Sequence, residues 1–221
     1  MKTTQGFVLP MLQFRGIASA WPNANTLAGV FFEFKIKKDS DHWVHVQINP
    51  ANELVMQRLG YRADGQSMKQ YMIKKGLKRL LVAICNFHSD HAGGHELTLR
   101  AGRNGGASSL TIETIPSETF PYLAKRSARR LTGLMMHAGV LPLLPMIWGA
   151  HKKPWGWHFG GTMPMSERPR GDIATDLLGR PTGWNCLHVV DSSVLPSIPG
   201  TTLALVAMAN AYRIADQSPL D

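Results

Sequence analysis

Hydrophobic positions alternate with polar ones in the first half of the chain. Residues 29–37 (GVFFEFKIK) and 42–49 (HWVHVQIN) alternate and are rich in β-branched and aromatic side chains, which predicts two strands. The continuous apolar run at 79–85 predicts a buried strand. Residues 96–100 and 108–114 flank a glycine-rich turn and predict a hairpin.

Apolar residues recur at helical spacing in three further segments. Residues 51–59 and 65–77 are predicted to be helices, as is the longer segment 116–138. Ser117 stands near the start of the long segment, where a serine side chain can cap the first turn of a helix. Residues 1–28 show no clear period, and we expect them to be irregular.

The character of the chain changes after Gly139. Eight of the 14 prolines lie between residues 142 and 199, and regular periods are few there. Only 187–190 is typical of a strand. Residues 201–214 predict a helix that is apolar on all sides and is therefore expected to be buried.

Composition narrows the class of protein. Hydrophobic residues make up 44% and charged residues 18%, which is typical of a globular chain. The net charge of +9 concentrates in residues 69–79 and 125–130. We interpret both segments as solvated helix faces. Neither shows the interleaving of aromatic and charged residues that is typical of a protein that binds single-stranded nucleic acid. No apolar run is long enough for a membrane span, and no secretion signal opens the chain. With only Cys85 and Cys186, we expect a cytoplasmic protein with free thiols and no nucleic-acid partner.

Two short motifs in the last third carry the candidate chemistry. The first, WHFGGTMPM, begins at Trp157 and contains His158 beside a pair of glycines, Gly160 and Gly161. A glycine pair lets a flat ligand approach the backbone closely. The second, VVDSSVLP, begins at Val189, and the predicted helix follows it. A helix N-terminus presents N–H groups and a positive dipole end to an anionic or electron-rich ligand.

These motifs resemble the C-terminal signature of the glucose–methanol–choline (GMC) family of FAD-dependent alcohol oxidoreductases. The element H-x-x-G-T-x-x-M of that family is matched at His158, Gly161, Thr162 and Met165. The element V-V-D-[AS]-S-x-x-P is matched from Val189 through Pro196, with the two motifs in the family's order. The resemblance covers about residues 155–215.

The resemblance implies a reaction and a cofactor. His158 corresponds to the histidine that accepts the proton of the alcohol hydroxyl while hydride passes to the flavin, and imidazole suits this task because its pKa lies near working pH. A small-molecule alcohol is the implied substrate, and FAD is the implied cofactor. The residues expected to contact FAD are Gly161, Thr162, Asp191, Ser192, Thr201 and Thr202.

The chain departs from the family pattern at one catalytic position. The family has a second histidine or asparagine eleven residues after the aspartate of V-V-D, and this chain has Thr202 there. Thr202 is therefore paired with His158 in the expected catalytic site as a group that donates or accepts a hydrogen bond. A hydroxyl cannot serve as the base, so His158 is the only base that we assign.

The dinucleotide-binding string G-x-G-x-x-G does not occur in the 221 residues. We therefore expect an α+β chain that corresponds to the C-terminal portion of such an enzyme. Residues 1–150 would resemble the substrate domain, an antiparallel sheet with helices, and 151–221 would form the flavin-contacting strand, turn and helix. A separate chain would then supply the dinucleotide-binding domain, or the chain would be a non-catalytic fragment or subunit.

A further motif favours a different class of protein. The string NFHSDHAGG follows the predicted strand 79–85 and resembles the metal-binding loop of metallo-β-lactamase-fold hydrolases. There His88, Asp90 and His91 would be metal ligands, with His95 and His158 as further candidates near them. Asn86 stands in place of the first histidine of that loop, so a primary ligand is missing. The preferred interpretation therefore has no metal.

Overall fold

The structure is a computed structural model. It describes residues 1–16, 29–50, 67–68, 71, 75–76, 78–102, 106–171 and 173–218. The helix predicted at 51–59 lies outside these residues, and so does most of the helix predicted at 65–77.

The described residues form a mixed α+β structure, which confirms the predicted fold class. The strands are β1 (Lys2–Thr3), β2 (Gln5–Gln13), β3 (Val30–Lys35), β4 (Trp43–Pro50), β5 (Leu80–Phe87), β6 (Gly94–Arg100), β7 (Ser109–Ile115), β8 (Val140–Pro142) and β9 (Phe159–Gly160). The α-helices are α1 (Phe120–His137) and α2 (Ala204–Gln217). Short 3-10 helices lie at Ser89–His91, Leu144–Met146 and Ser192–Val194.

These elements group into two compact units. We call the first the motif unit: Met1–Gln5, Asn86–Pro121 and His151–Asp221. We call the second the sheet unit: Gly6–Cys85 and Tyr122–Ala150.

The sheet unit is built on a five-stranded sheet with the order β3-β4-β5-β2-β8. Strands β3 and β4 pair antiparallel, with Phe32 opposite Val46, and this confirms the two strands that alternation predicted. Strand β5 confirms the buried strand that the apolar run at 79–85 predicted. The core beneath the sheet includes Val44, Val46, Ala83, Cys85, Leu123 and Leu131.

Strand β2 corrects the expectation that residues 1–28 are irregular. Phe7, Leu9 and Met11 are fully buried, which is the period-two pattern of a strand with one face on a core. Pro10 obscures this pattern in the sequence, because a proline inside an apolar run argues against a strand in the middle of a sheet. The sheet tolerates it: Pro10 lacks an N–H, but its carbonyl accepts a hydrogen bond from the Leu143 amide at 2.8 Å.

The motif unit contains a four-stranded sheet with the order β7-β6-β1-β9. Strands β6 and β7 pair antiparallel over seven residue pairs, from Gly94 opposite Ile115 to Arg100 opposite Ser109, which confirms the predicted hairpin. The short strand β1 lies between β6 and β9, so the first residues of the chain join the hairpin to the segment that contains the first motif.

The long predicted helix is confirmed with a later start, at Phe120. The Ser117 hydroxyl accepts a hydrogen bond from the Phe120 amide at 3.1 Å and donates one to the His91 carbonyl at 2.8 Å. The predicted serine cap is therefore present, and it also holds the loop that ends at His91.

Two predictions for the last third of the chain are wrong. Residues 187–190 form no strand in the structure as described, because they lack a neighbouring strand to pair with. Helix α2 is not buried: Leu205, Met208 and Tyr212 are 74%, 69% and 75% exposed. Its apolar composition predicts burial, but only Asn210 and Ile214 of this helix are buried. The described part of the chain contains no helix long and apolar enough to cross a bilayer.

Candidate functional site

His158 immediately precedes β9 and is held through its backbone. Its carbonyl accepts hydrogen bonds from the Thr4 amide at 3.0 Å and from the Thr3 hydroxyl at 3.1 Å. Thr3 and Thr4 are fully buried, so these bonds are shielded from water. The His158 side chain is half-buried, and its Nδ1 atom is buried. The backbone position of the candidate base is thus determined by the first four residues of the chain.

The two sequence motifs lie side by side in the motif unit. Three backbone hydrogen bonds join them: Gly161 N to Ser192 O at 3.0 Å, Met163 N to Ser193 O at 2.9 Å, and Met165 N to Val194 O at 2.8 Å. The Ser192 hydroxyl adds a fourth bond, to the Phe159 carbonyl at 2.9 Å. Two segments that are about 30 residues apart in sequence therefore form one continuous structure.

The glycine pair in the first motif is explained by this close packing. A Cβ atom on Gly160 would lie 2.3 Å from the Ser192 carbonyl oxygen and 2.6 Å from Cδ1 of Ile198. Gly161 has φ +62°, in the left-handed region that favours glycine. A Cβ on Gly161 would also lie 3.1 Å from the Leu195 carbonyl. The protein itself fills this space, so packing between the motifs accounts for both glycines without a ligand.

Asp191 shapes the turn of the second motif. Its Oδ1 accepts a hydrogen bond from the Ser193 amide at 2.9 Å and so caps the 3-10 helix Ser192–Val194. Asp191 is exposed and Thr162 is half-buried, so both can reach a ligand at the surface of this unit.

Sequence reasoning missed a loop that supports both motifs. Asp176 accepts hydrogen bonds from the Leu178 and Arg180 amides at 2.9 and 3.0 Å, and its carboxylate pairs with the Arg180 guanidinium at 2.7 Å. Burial raises the pKa of Asp176, but these hydrogen bonds together outweigh burial and lower the pKa below its ordinary value.

The same loop contacts each motif directly. Thr175, fully buried, donates from its hydroxyl to the Met163 carbonyl at 3.1 Å. The Gly179 carbonyl accepts from the Val189 amide at 2.9 Å. An aspartate followed at short distance by a glycine is a recognisable turn signal, so the string TDLLGRP could have indicated this loop.

Thr201 and Thr202 follow a segment that is fixed by the end of β5. Ser89 donates its amide to the Ile198 carbonyl, and the Ile198 amide donates to the Ser89 hydroxyl, both at 2.9 Å. A Cβ on Gly200 would lie 2.9 Å from the Asn86 carbonyl. Thr201 is half-buried and Thr202 is exposed.

Helix α2 begins two residues after Thr202. Ala204 is its first residue and Leu203 its N-cap, and no side chain caps the helix. The sequence predicted a helix that starts at Thr201, but neither threonine belongs to the helix. Neither hydroxyl caps its first amides. An uncapped N-terminus of a 14-residue helix retains its preference for an anionic or electron-rich group.

The histidine-rich loop after β5 is held by local hydrogen bonds. The His88 Nδ1 atom accepts from the Asp90 amide at 3.2 Å and lies 3.3 Å from the Asp90 carboxylate. The His91 amide donates to the His88 carbonyl at 3.0 Å, which closes the 3-10 helix Ser89–His91. His95 lies on β6, where its ring contacts the Thr114 hydroxyl at 3.4 Å. Capping and turn formation account for the arrangement of His88 and Asp90.

The comparison with known families agrees with the paired motifs. Residues 148–211 match the GMC oxidoreductase family model for the C-terminal region. This segment is similar to the C-terminal portion of GMC oxidoreductases, and the resemblance drawn from its motifs is confirmed. The family is an oxidoreductase family that is generally FAD-dependent. A search of curated proteins gave no match to the chain.

Proposed function

We propose that the chain is the C-terminal part of a flavin-dependent oxidoreductase that acts on CH–OH groups. The observation that carries the proposal is the pairing of the two motif segments through the Gly161, Met163 and Met165 amides. Because this pairing holds His158, Asp191 and the approach to α2 in one unit, residues that the family resemblance associates with one reaction share one scaffold.

His158 is the proposed base. The backbone bonds from Thr3 and Thr4 restrict its position, and a neutral imidazole nitrogen can accept the proton of an alcohol hydroxyl. Thr202 is the proposed second polar group of the site. Its exposed hydroxyl can donate a hydrogen bond to the substrate oxygen or accept one from it, but cannot remove the proton at neutral pH.

The residues of the motif unit fit the ring end of FAD. The uncapped N-terminus of α2 favours the electron-rich pyrimidine edge, and this preference is stronger for a reduced, anionic ring. The side chains and backbone expected to hold the ring are those of Gly161, Thr162, Asp191, Ser192, Thr201 and Thr202. The bound flavin would supply the acceptor for the hydride that leaves the alcohol carbon. The ADP end of FAD needs a dinucleotide loop, and the sequence has no such string.

Flavin retention tests the cofactor proposal. The purified chain is incubated with FAD, free ligand is removed, and the flavin absorbance and the total tryptophan fluorescence are measured. Two of the six tryptophans, Trp155 and Trp157, lie just before His158 in sequence. We expect a weakly retained flavin band and quenched tryptophan emission, because the ring end is held here while the ADP end lacks its loop. Asp191→Asn and Thr201→Val should weaken both signals, whereas His137→Ala, at the exposed end of α1, should change neither.

Anaerobic reduction of the bound flavin by a panel of alcohols tests the role of His158. We expect His158→Ala to retain the flavin but to slow its reduction by about two to four orders of magnitude, because general-base catalysis contributes this much. Thr202→Ala should slow reduction by a smaller factor. Reduction of His158→Ala at the unsubstituted rate would contradict the assigned base.

A non-catalytic subunit is the second candidate function, and the exposed apolar face of α2 favours it. Leu205, Met208 and Tyr212 lie at helical spacing and are each more than two-thirds exposed, which is unusual for three large apolar side chains on one helix face. Retention of FAD together with a chain that supplies the dinucleotide-binding domain would support the catalytic candidate, and no retention even then would support the non-catalytic subunit.

A further inference from the structure

A cleft in the motif unit follows the end of the first motif and lies outside the proposed flavin-contacting residues. It has a volume of about 390 Å³ and is lined by Pro164, Met165, Ser166, Arg168, Arg170 and Ala174. This volume lies within the range of small-molecule sites, about 300–1,000 Å³. Three of the lining residues are apolar, two are arginines and one is a serine.

The two arginines of the cleft differ from two other arginines of the same unit. Arg180 is bound to the Asp176 carboxylate, and Arg213 donates to Asn210 Oδ1 and Gln217 Oε1, each at 3.0 Å. Within the described part of the chain, Arg168 and Arg170 form neither an ion pair nor a side-chain hydrogen bond. Glu167 directly precedes Arg168 in sequence, but it is not among the residues that line the cleft. Among the residues that the structure describes, two positive charges therefore line this surface without an acidic residue beside them in the lining.

The base of the cleft is held rigidly by the scaffold around the first motif. The Ser166 amide donates to the Thr175 carbonyl at 3.0 Å, and the Thr175 amide donates to the Pro164 carbonyl at 3.3 Å. The Ser166 hydroxyl accepts a hydrogen bond from the Arg168 amide at 3.2 Å, which sets the turn that leads into the arginines. A rigid base lowers the entropic cost of binding a ligand.

From this lining we propose that the cleft binds a small molecule through an oxyanion group, a phosphate or a carboxylate. A planar guanidinium can donate two parallel, charge-assisted hydrogen bonds to two oxygens of a phosphate or of a carboxylate. Pro164, Met165 and Ala174 then contact the apolar part of the ligand. The proposal does not depend on flavin binding or on His158.

Calorimetric titration of the full chain tests this site at fixed ionic strength, with inorganic pyrophosphate as the phosphate probe and citrate as the carboxylate probe. We expect saturable binding of at least one probe, and the tighter of the two identifies the ligand chemistry. Arg168→Gln and Arg170→Gln should each weaken binding about tenfold, because each removes a charge-assisted hydrogen-bonding group. Both side chains are exposed, so the variants should fold, and circular dichroism checks this.

The matched control carries the same change of charge elsewhere. Arg100→Gln combined with Arg129→Gln removes two exposed arginines that do not line the cleft, and it should leave the affinity unchanged. The proposal is overturned if neither probe binds the unsubstituted chain. It is also overturned if the control pair weakens binding as much as Arg168→Gln combined with Arg170→Gln, since attraction to net charge would then explain the affinity.

Discussion

The five-stranded sheet and the paired motif segments differ in what holds their backbones in place. In the sheet, alternate side chains of β2 are buried, among them Phe7 and Leu9, and β4 buries Val44 and Val46. Burial of large apolar side chains contributes about 1.5–3 kcal/mol for each residue, so the strands are held mainly by their side chains. A polar substitution on the exposed face of such a strand has little effect.

The motif segments are held by their backbones. Between His158 and Met165 the bonds to the second motif come from the Gly161, Met163 and Met165 amides, and Gly160 packs directly against the Ser192 carbonyl. Regular secondary structure is limited to β9 and the short 3-10 helix Ser192–Val194. From this comparison we expect different substitutions to destabilise the two regions most. In the sheet it is the loss of a buried side chain, and in the motif segments it is the addition of a methyl group to a packed glycine.

The largest effect is expected from Phe7→Ala in the sheet. Phe7 is fully buried, and its truncation should lower the free energy of unfolding by about 3–5 kcal/mol through lost burial and the cavity that remains. Urea unfolding followed by circular dichroism measures this. Phe31→Ala is the matched control, because Phe31 lies on β3 and is 70% exposed. Equal losses for the two variants would refute the side-chain account of the sheet.

A methyl group added at Gly160 should give the next largest effect. Its Cβ would lie 2.3 Å from the Ser192 carbonyl, so the motif segments must separate, at a cost of about 1–3 kcal/mol. Gly133→Ala is the control, since Gly133 lies within α1 with nothing within 4 Å of an added Cβ. There alanine should stabilise the chain by up to about 1 kcal/mol. Similar results for both glycines would show that the motif segments are not tightly packed.

A smaller effect is expected from Ser192→Ala. This change removes the hydrogen bond from the Ser192 hydroxyl to the Phe159 carbonyl while the backbone bonds between the motifs remain. The expected loss is about 1 kcal/mol in the free energy of unfolding. Ser108→Ala, at an exposed position before β7, should change it by less. If Ser192→Ala costs more than Gly160→Ala, side chains rather than backbone join the motifs.

The smallest effect concerns the loop at Asp176, and it depends on pH. The folded chain lowers the pKa of Asp176, so the unfolded chain binds the proton more readily at pH values between the folded and the ordinary pKa. The free energy of unfolding therefore increases with pH over this interval. The contribution of the carboxylate is fully present above its ordinary pKa, near pH 4, and is lost as the pH falls through the lower folded value. Asp176→Asn should therefore be less stable than the unsubstituted chain at pH 6, with a difference that shrinks toward pH 3. Unfolding in urea at several pH values checks this, and a difference that grows on acidification would contradict it.

Strands with a local signal in the sequence (alternation, a continuous apolar run or a hairpin turn) were predictable, and strands that depend on distant partners were not. Strands β3 to β7 follow from local patterns because each pattern places one side of a strand against a core or closes a hairpin. The apolar residues of β2 surround Pro10, and the strand forms because it lies between β5 and β8, with Met11 opposite Pro142 of β8. The segment 187–190 shows the reverse case, since an apolar run without a partner strand does not form a strand.

The candidate site shows the same division. The residue types and order of the two motifs, from His158 to Thr202, are sufficient to indicate the family, and the family match to residues 148–211 agrees. The role of Asp176 is not visible in the sequence, because a turn that supports two distant segments has no signature in either of them. The glycine pair is visible in the sequence and suggests close approach of a flat ligand. In the structure the Ser192 carbonyl occupies the space beside Gly160.

Sequence alone determined the local periods of the strands, the helix cap at Ser117 and the chemical groups of the candidate site, because each depends on a few neighbouring residues. Tertiary structure decided that β2 is a strand, that α2 is exposed and that the two motifs form one scaffold. These features depend on which segments meet, and segments meet through backbone hydrogen bonds and close packing between residues far apart in the chain. Every non-proline backbone carries the same hydrogen-bonding groups, so the residue types do not record which partners they find.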